Sequence, residues 1–306
     1  MTPSSDSSGE RAHQGFRHRF WEWFFDRPRV RRNLWKHLRR DFAAVTLRRP
    51  DYLFTLDVAD HWSKKMFFRP DWQRSTVNHL VDRLREMNLL EPGKTVLELG
   101  AHIGSHTIYL HSTGAFAGAI AVEPHPDNFA LLRHNMVQNG LDSATSCLNV
   151  AVDEQEGRAE FFSYGNGFSA QGSLQPRLDG EQPTASHWVE TCTVSSILSR
   201  AETDAADISL VHIDVEGVEY RVLPGVFHAL GPRVPVFTEF FPGLYGLERA
   251  GEMLDWIGSH YASCIRFAAE VAPTGDETVM SPKQMAEGLD FSNPEDLWFD
   301  LLLFNP

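Results

Sequence analysis

Thr95-Val96-Leu97-Glu98-Leu99-Gly100-Ala101-His102-Ile103-Gly104 is the stretch whose reading decides the fold. An apolar run broken only by Glu98 enters a turn with glycines at positions 100 and 104. A short apolar run bounded by turn residues is the pattern of a buried strand. The two glycines let the chain turn sharply and let a ligand approach bare backbone. Working outward, apolar runs recur at 119–123, 147–152, 209–214 and 234–239, separated by segments of helical character. Residues 126–139 place Phe129, Leu132 and Met136 on one helical face, and Gly140 is a C-terminal stop. Upstream, 71–88 carries apolar residues at 77, 80, 81 and 84 before Pro92 and Gly93. Residues 261–267 and 297–304 read as a closing pair of strands. Strands alternating with helices imply crossovers, and hence a parallel sheet covered on both faces. The reading is an open, doubly wound α/β domain over 71–306.

The 306 residues, 42% hydrophobic and 23% charged, have the composition of a globular chain and exclude a low-complexity one. No apolar run approaches the ~20 residues of a membrane span, and the polar first ten residues do not read as a secretory signal. Cys147, Cys192 and Cys264 lie far apart with no CxxC pair, which argues for a reducing compartment and against a cysteine metal site. The expectation is a cytoplasmic protein. Its net charge of −13 is uneven: residues 1–50 carry 12 Lys and Arg against 5 Asp and Glu, leaving the remainder at −20. So acidic a body does not suit nucleic acid, whose phosphates require clustered positive charge.

Residues 1–15 read as a disordered tail and 16–70 as a basic, aromatic helical extension. Phe16, Phe20, Trp23 and Phe24 recur at helical spacing, and so do Leu34, Leu38, Phe42 and Val45 among several arginines. Packing on the main domain or on a second subunit is one reading. Peripheral contact of residues 16–50 with an anionic membrane is the other, and homo-oligomerisation is left open.

Ligands of open α/β sheets bind beyond the carboxyl ends of the strands. The first strand ends at Glu98 and Gly100, but His102 and Ser105 break the dinucleotide fingerprint G-x-G-x-x-G, so a pyrophosphate cradle is disfavoured. The second ends in Glu123, 23 residues after Gly100, where an acid can accept both ribose hydroxyls. Glu98, Gly100, Gly104 and Glu123 together ask for a ligand with an adenosine and no diphosphate. The fourth strand delivers His212, Asp214 and Glu216 on one side, and the fifth ends in Glu239. Buried together, such groups are costly unless partnered, which suggests a site. No residue is assigned to a metal, although an oxygen-rich set of this kind suits Mg²⁺.

Glu98-Leu99-Gly100-Ala101-His102-Ile103-Gly104, Glu123-Pro124-His125-Pro126, Asn135 with Asn139-Gly140, Ala151-Val152-Asp153 with Gly157, and Asp214-Val215-Glu216-Gly217 stand in an order and spacing that resemble the FkbM family of S-adenosylmethionine-dependent methyltransferases. The resemblance covers about 94–306. It implies the class I methyltransferase fold, Rossmann-like with a seven-stranded, mostly parallel sheet, here with a helical N-terminal extension. The activity it implies is O-methylation of a small-molecule, sugar or glycan hydroxyl. Glu98, Gly100, Ala101, Gly104, Glu123, Asp153 and Asp214 then contact the cofactor, with Glu123 on its ribose and Asp153 near its adenine. Asp214 stands between cofactor and acceptor, with His212 or Glu239 taking the proton. Residues 165–173 read as an acceptor-binding loop or a plain surface connection. His102 and His212 depart from the Asn and Lys usual in the family, and Thr191, Val194, Ser195 and Ser196 resemble a weakened form of its Thr-Leu-Asp stretch. The rival readings are a nicotinamide-dependent oxidoreductase and a non-catalytic scaffold.

Overall fold

The structure, a computed structural model, describes residues 27–69, 73–164, 168–178, 180–269, 273, 275, 277–293 and 296–306. The disordered tail and the aromatic helix expected around Phe16 to Phe24 lie outside the described residues.

Helix α1 (Pro28–Asp41) begins with proline in its first turn. Its inward face is Arg31, Trp35 and Leu38 rather than Leu34: Trp35 is buried and lies 5.0 Å from the Phe67 ring, while Leu34 is exposed. Arg31 donates to the Phe67 carbonyl. The helical reading of 16–70 then needs a correction. Val45 belongs to an antiparallel hairpin, β1 (Ala44–Arg48) and β2 (Leu53–Asp57), and only beyond it does the chain return to helix in α2 (His61–Phe68). Val45 and Leu47 alternate with exposed residues, a period of two that suits a strand with one face covered. The side chain of Asp60 caps α2 by accepting from Ser63 N at 2.6 Å.

Helix α3 (Arg74–Glu86) buries Val77, Leu80, Val81 and Leu84, the four positions its spacing predicts. The main sheet follows: β3 (Thr95–Leu99), α4 (Ser105–Ser112), β4 (Gly118–Val122), α5 (Pro126–Gln138) and β5 (Thr145–Leu148). The chain then builds a second sheet from β6 (Ala151–Val152), β7 (Gly157–Tyr164), β8 (Phe168–Ser173) and β9 (Ala185–Cys192). It re-enters the first through α6 (Val194–Arg200), β10 (Ile208–Ile213), α7 (Glu219–Leu230) and β11 (Val236–Phe240). Helices α8 (Pro242–Tyr245) and α9 (Leu247–His260), strand β12 (Ser263–Ala268), helix α10 (Pro282–Glu287) and strand β13 (Phe299–Phe304) complete it.

The seven strands lie in the order β12-β13-β11-β10-β3-β4-β5. All neighbouring pairs from β5 to β11 are parallel, and β13 runs antiparallel between β11 and β12. Leu97, Leu99, Val211 and Ile213 pack against α6, α7 and α9, whereas Val96, Ala119 and Leu210 pack against α3, α4 and α5. Both faces are covered, so these strands read as continuous apolar runs. The order reverses between β3 and β10, which is where an open sheet of this kind holds its ligand.

The stretch expected as one strand at 147–152 is two. Asn149 Nδ2 donates to the carbonyls of Glu123 (2.8 Å) and Pro124 (3.1 Å) at the end of β4, and the chain passes from one sheet to the other. The N-terminal hairpin is tied down just as specifically. Asn135 Oδ1 accepts from Thr55 N and Asn139 Oδ1 from Leu53 N, both at 2.8 Å, so side-chain amides from α5 and from the residue that caps it serve the edge of β2. Among the described residues, no helix is long and apolar enough to cross a membrane.

Candidate functional site

Strands β3 and β10 separate at their carboxyl ends, and the loops there approach closely. Gly100 has φ +91°, and a Cβ built on it would lie 1.7 Å from the carbonyl oxygen of Asp214. Only a residue without a side chain fits. Gly100 N and Ala101 N both donate to Val122 O at 2.9 Å, turning the chain over the end of β4.

That turn brings His102 N to 2.8 Å from Glu123 Oε2. Glu123 Oε1 accepts from His125 N (2.9 Å) and Asn128 Nδ2 (3.2 Å). Three donors hold the carboxylate at one spot on the wall of a cleft of about 530 Å³, a size typical of small-molecule sites. Gly100, Ala101, Asp214, Glu216 and Glu239 line the same cleft. Burial pushes Glu123 up to about 7 against the pull of those donors.

The loop of Asp214 to Gly217 is shaped by a residue the sequence reading did not assign. Glu219 is buried and accepts from Val215 N at 3.1 Å and from Gly217 N at 3.0 Å. Glu216, inside that bracket, has φ +55°. An acid placed soon after a glycine turn and opening a helix is the signal that could have found it. Two further walls were missed. Trp62, Lys65 and Met66 come from α2 of the N-terminal extension, and Val152, Phe161 and Leu174 come from or beside the second sheet. Neither bears a local motif, because both depend on a distant segment folding back.

Four expected site residues are placed elsewhere. Glu98 does not line the large cleft: its Oε2 accepts from Thr107 Oγ1 at 2.5 Å and its Oε1 faces His212 Nδ1 at 3.8 Å. His212 is likewise behind the wall, stacked on Phe237 with ring centroids 5.6 Å apart. Asp153 pairs with Arg221 and accepts from Glu154 N, and it is not part of the lining. Gly104 serves packing: a Cβ there would meet Leu132 Cδ1 and Met136 Cε at 2.8 Å. Of the expected acceptor loop, 165–167 lies outside the described residues and 168–173 is strand β8. Glu239 does face the cleft, with Trp298 Nε1 donating to its Oε1 at 2.6 Å.

Burial drives the ionisable groups around the cleft toward their neutral forms. Burial pushes Glu98, Glu219 and Asp300 up to about 7, as it does Glu123, and lifts Glu216 and Glu239 well above the carboxylate range. Burial lowers His102, His125 and His212, and drives His106 down to about 3. Below about pH 6.5, the ordinary histidine value, the two sets oppose each other as pH rises. Folded carboxyls retain protons that the unfolded chain has lost, while folded imidazoles lack protons that the unfolded chain holds. Above it, the unfolded imidazoles lose their protons too and this opposition fades, while the folded carboxyls still titrate. Stability of the ligand-free protein is therefore expected to fall from pH 6.5 to pH 8. Melting temperatures across that window check it, and a flat or rising profile contradicts it.

The Methyltransferase FkbM domain family matches residues 98–263, more than half of the chain. A curated relative, 31-O-demethyl-FK506 methyltransferase FkbM of Streptomyces tacrolimicus, is 29% identical over 166 residues, covering 47% of this chain and 64% of the relative. The chain thus spans less than two thirds of that relative's length. Among solved structures, the methyltransferase FkbM from Methylobacillus flagellatus KT is 14% identical with a TM-score of 0.44, over 80% of this chain and 56% of that one. The O-methyltransferase from Bacillus cereus in complex with SAH is 9% identical with a TM-score of 0.42, over 76% and 80%.

Proposed function

The chain belongs to the FkbM family of S-adenosylmethionine-dependent methyltransferases, and on that premise we propose that it moves a methyl group from this donor to a hydroxyl of a sugar, glycan or other natural product. The observation that carries the reading is the juxtaposition of the Gly100 turn, the fixed Glu123 carboxylate and Asp214 around one cleft at the reversal of strand order.

The residues present fit the donor. Glu123 offers one open acceptor position to a ribose hydroxyl, since a carboxylate has about four lone-pair positions and three donors are in place. Val152, Phe161 and Leu174 offer an apolar wall to a planar base. Asp214 offers a negative charge to a cationic end. The sequence lacks the third glycine of a dinucleotide cradle, which disfavours a nicotinamide cofactor.

When bound, the donor supplies an electrophilic methyl on a positively charged sulfur. Alignment of the acceptor oxygen with that methyl falls to the cleft walls, where positioning alone contributes much of the rate. Glu239 accepts the hydroxyl proton at Oε2 while Trp298 holds Oε1. Its affinity for protons is raised by burial and by Asp214, Glu216 and Glu219, and a cation in the cleft favours its ionised form. Glu239 is preferred to His212 here because it lines the cleft and His212 does not. Incubation with methyl-labelled donor and a panel of sugar and polyketide alcohols should place label on an acceptor oxygen. Label found only on nitrogen or carbon, with donor binding intact, would refute the hydroxyl reading.

A further inference from the structure

At the cleft wall, Glu98, His106 and His212 each offer one ligand atom, and these atoms all lie within 4.8 Å of one another; His106 also lines the cleft, while Glu98 and His212 lie behind it. Glu98 and His212 come from β3 and β10, which are neighbours in the sheet, and His106 comes from α4, the helix that follows β3. The Glu98 and His212 side chains are 1% and 8% exposed. Glu98 Oε1 and His212 Nδ1 face each other at 3.8 Å, beyond hydrogen-bond reach, and neither has a partner among the described residues. Buried polar atoms without partners are rare and call for an unseen water or ion.

The chemistry of the trio favours an ion. Two imidazoles and a carboxylate form the donor set of zinc sites with an open position, and of iron(II) sites with a facial triad. Mg²⁺ and Ca²⁺ take oxygen ligands instead. Outer contacts hold the three groups in place, as they do for metal ligands generally. Thr107 Oγ1 donates to the second oxygen of Glu98, Gln73 Oε1 meets His106 Nε2 at 3.0 Å, and Phe237 stacks on His212. A cavity of about 50 Å³ borders His106 and His212, room for an ion with one water, whose share of liquid volume is ~30 Å³. Asp214 and Glu239 border both this cavity and the large cleft.

We propose that Glu98, His106 and His212 bind one divalent transition-metal ion of the zinc or cobalt class, at a site adjoining the cleft. The site stands independently of the methyl-transfer reading, because its test needs neither donor nor acceptor. Chelator-treated full-length protein is titrated with Co²⁺ and followed by visible absorption. One equivalent should bind with the intense bands of four- or five-coordinate cobalt, and Zn²⁺ should displace it. His106→Ala and His212→Ala should each weaken binding by about 10-fold or more, since disturbing even the outer shell of a site costs 10–100-fold. Circular dichroism establishes that the variants remain folded. Wild-type protein that binds no cobalt, or only weakly absorbing six-coordinate cobalt, overturns the proposal even where a variant fails to fold. So does unchanged affinity in folded His106→Ala and His212→Ala.

Discussion

Gly100→Ala is expected to abolish cofactor binding and to lower stability by about 2–5 kcal/mol, the sum of overpacking and of a side chain forced into left-handed backbone. The added methyl would overlap the Asp214 carbonyl, at 1.7 Å, and backbone cannot swing aside. Relief requires β3 and β10 to move apart at their carboxyl ends, which opens the wall carrying both Gly100 and Asp214. Gly104→Ala is the comparison. Its Cβ would meet the tips of Leu132 and Met136 at 2.8 Å, and flexible side-chain ends can yield. Its cost should be about 1–2 kcal/mol, that of a side chain in left-handed backbone alone, since its φ is +87°. Urea denaturation of both variants checks the order, and equal midpoints would show that the β3–β10 approach is not rigid.

Glu123→Ala should weaken S-adenosylhomocysteine binding about 100-fold, close to 3 kcal/mol, the upper range for hydrogen bonds to a charged group. The same change strands His102 N, His125 N and Asn128 Nδ2, which now share the carboxylate. Glu123→Gln keeps one acceptor oxygen and should fall between wild type and Ala. Asp153→Asn is the control, because its partner is Arg221 and it does not line the cleft. Calorimetric titration of the three variants separates them. Unchanged affinity in Glu123→Ala would remove the ribose role, and a loss in Asp153→Asn would return that residue to the site.

Much of the architecture was legible because the determinants are local. The apolar run of 95–99, the buried positions 77, 80, 81 and 84 of α3, and the stop at Gly140 all follow from periodicity and turn chemistry. Glu123 and Asp214 were legible for a related reason: the end of a strand in a parallel sheet is a place of known chemistry. Residues 147–152 were misread as one strand because the transfer between sheets depends on Asn149 reaching back to carbonyls 25 and 26 positions earlier. Val45 was misread as helical because four spaced apolar residues fit a helix as well as a helix followed by a strand. Asp153 sits next to a strand end, yet an arginine 68 residues away claims its carboxylate.

By itself the chain's sequence determined the layering of helices on a parallel sheet and the glycine turn at its centre, since backbone freedom and hydrophobic period are properties of neighbouring residues. Only the tertiary structure decided which carboxylates face the cleft, that Glu98 and His212 meet behind it, and that Trp62 from the extension walls it. The physical reason is that a charged side chain's role depends on what shares its burial, and those partners are brought together by strand order rather than by spacing along the chain.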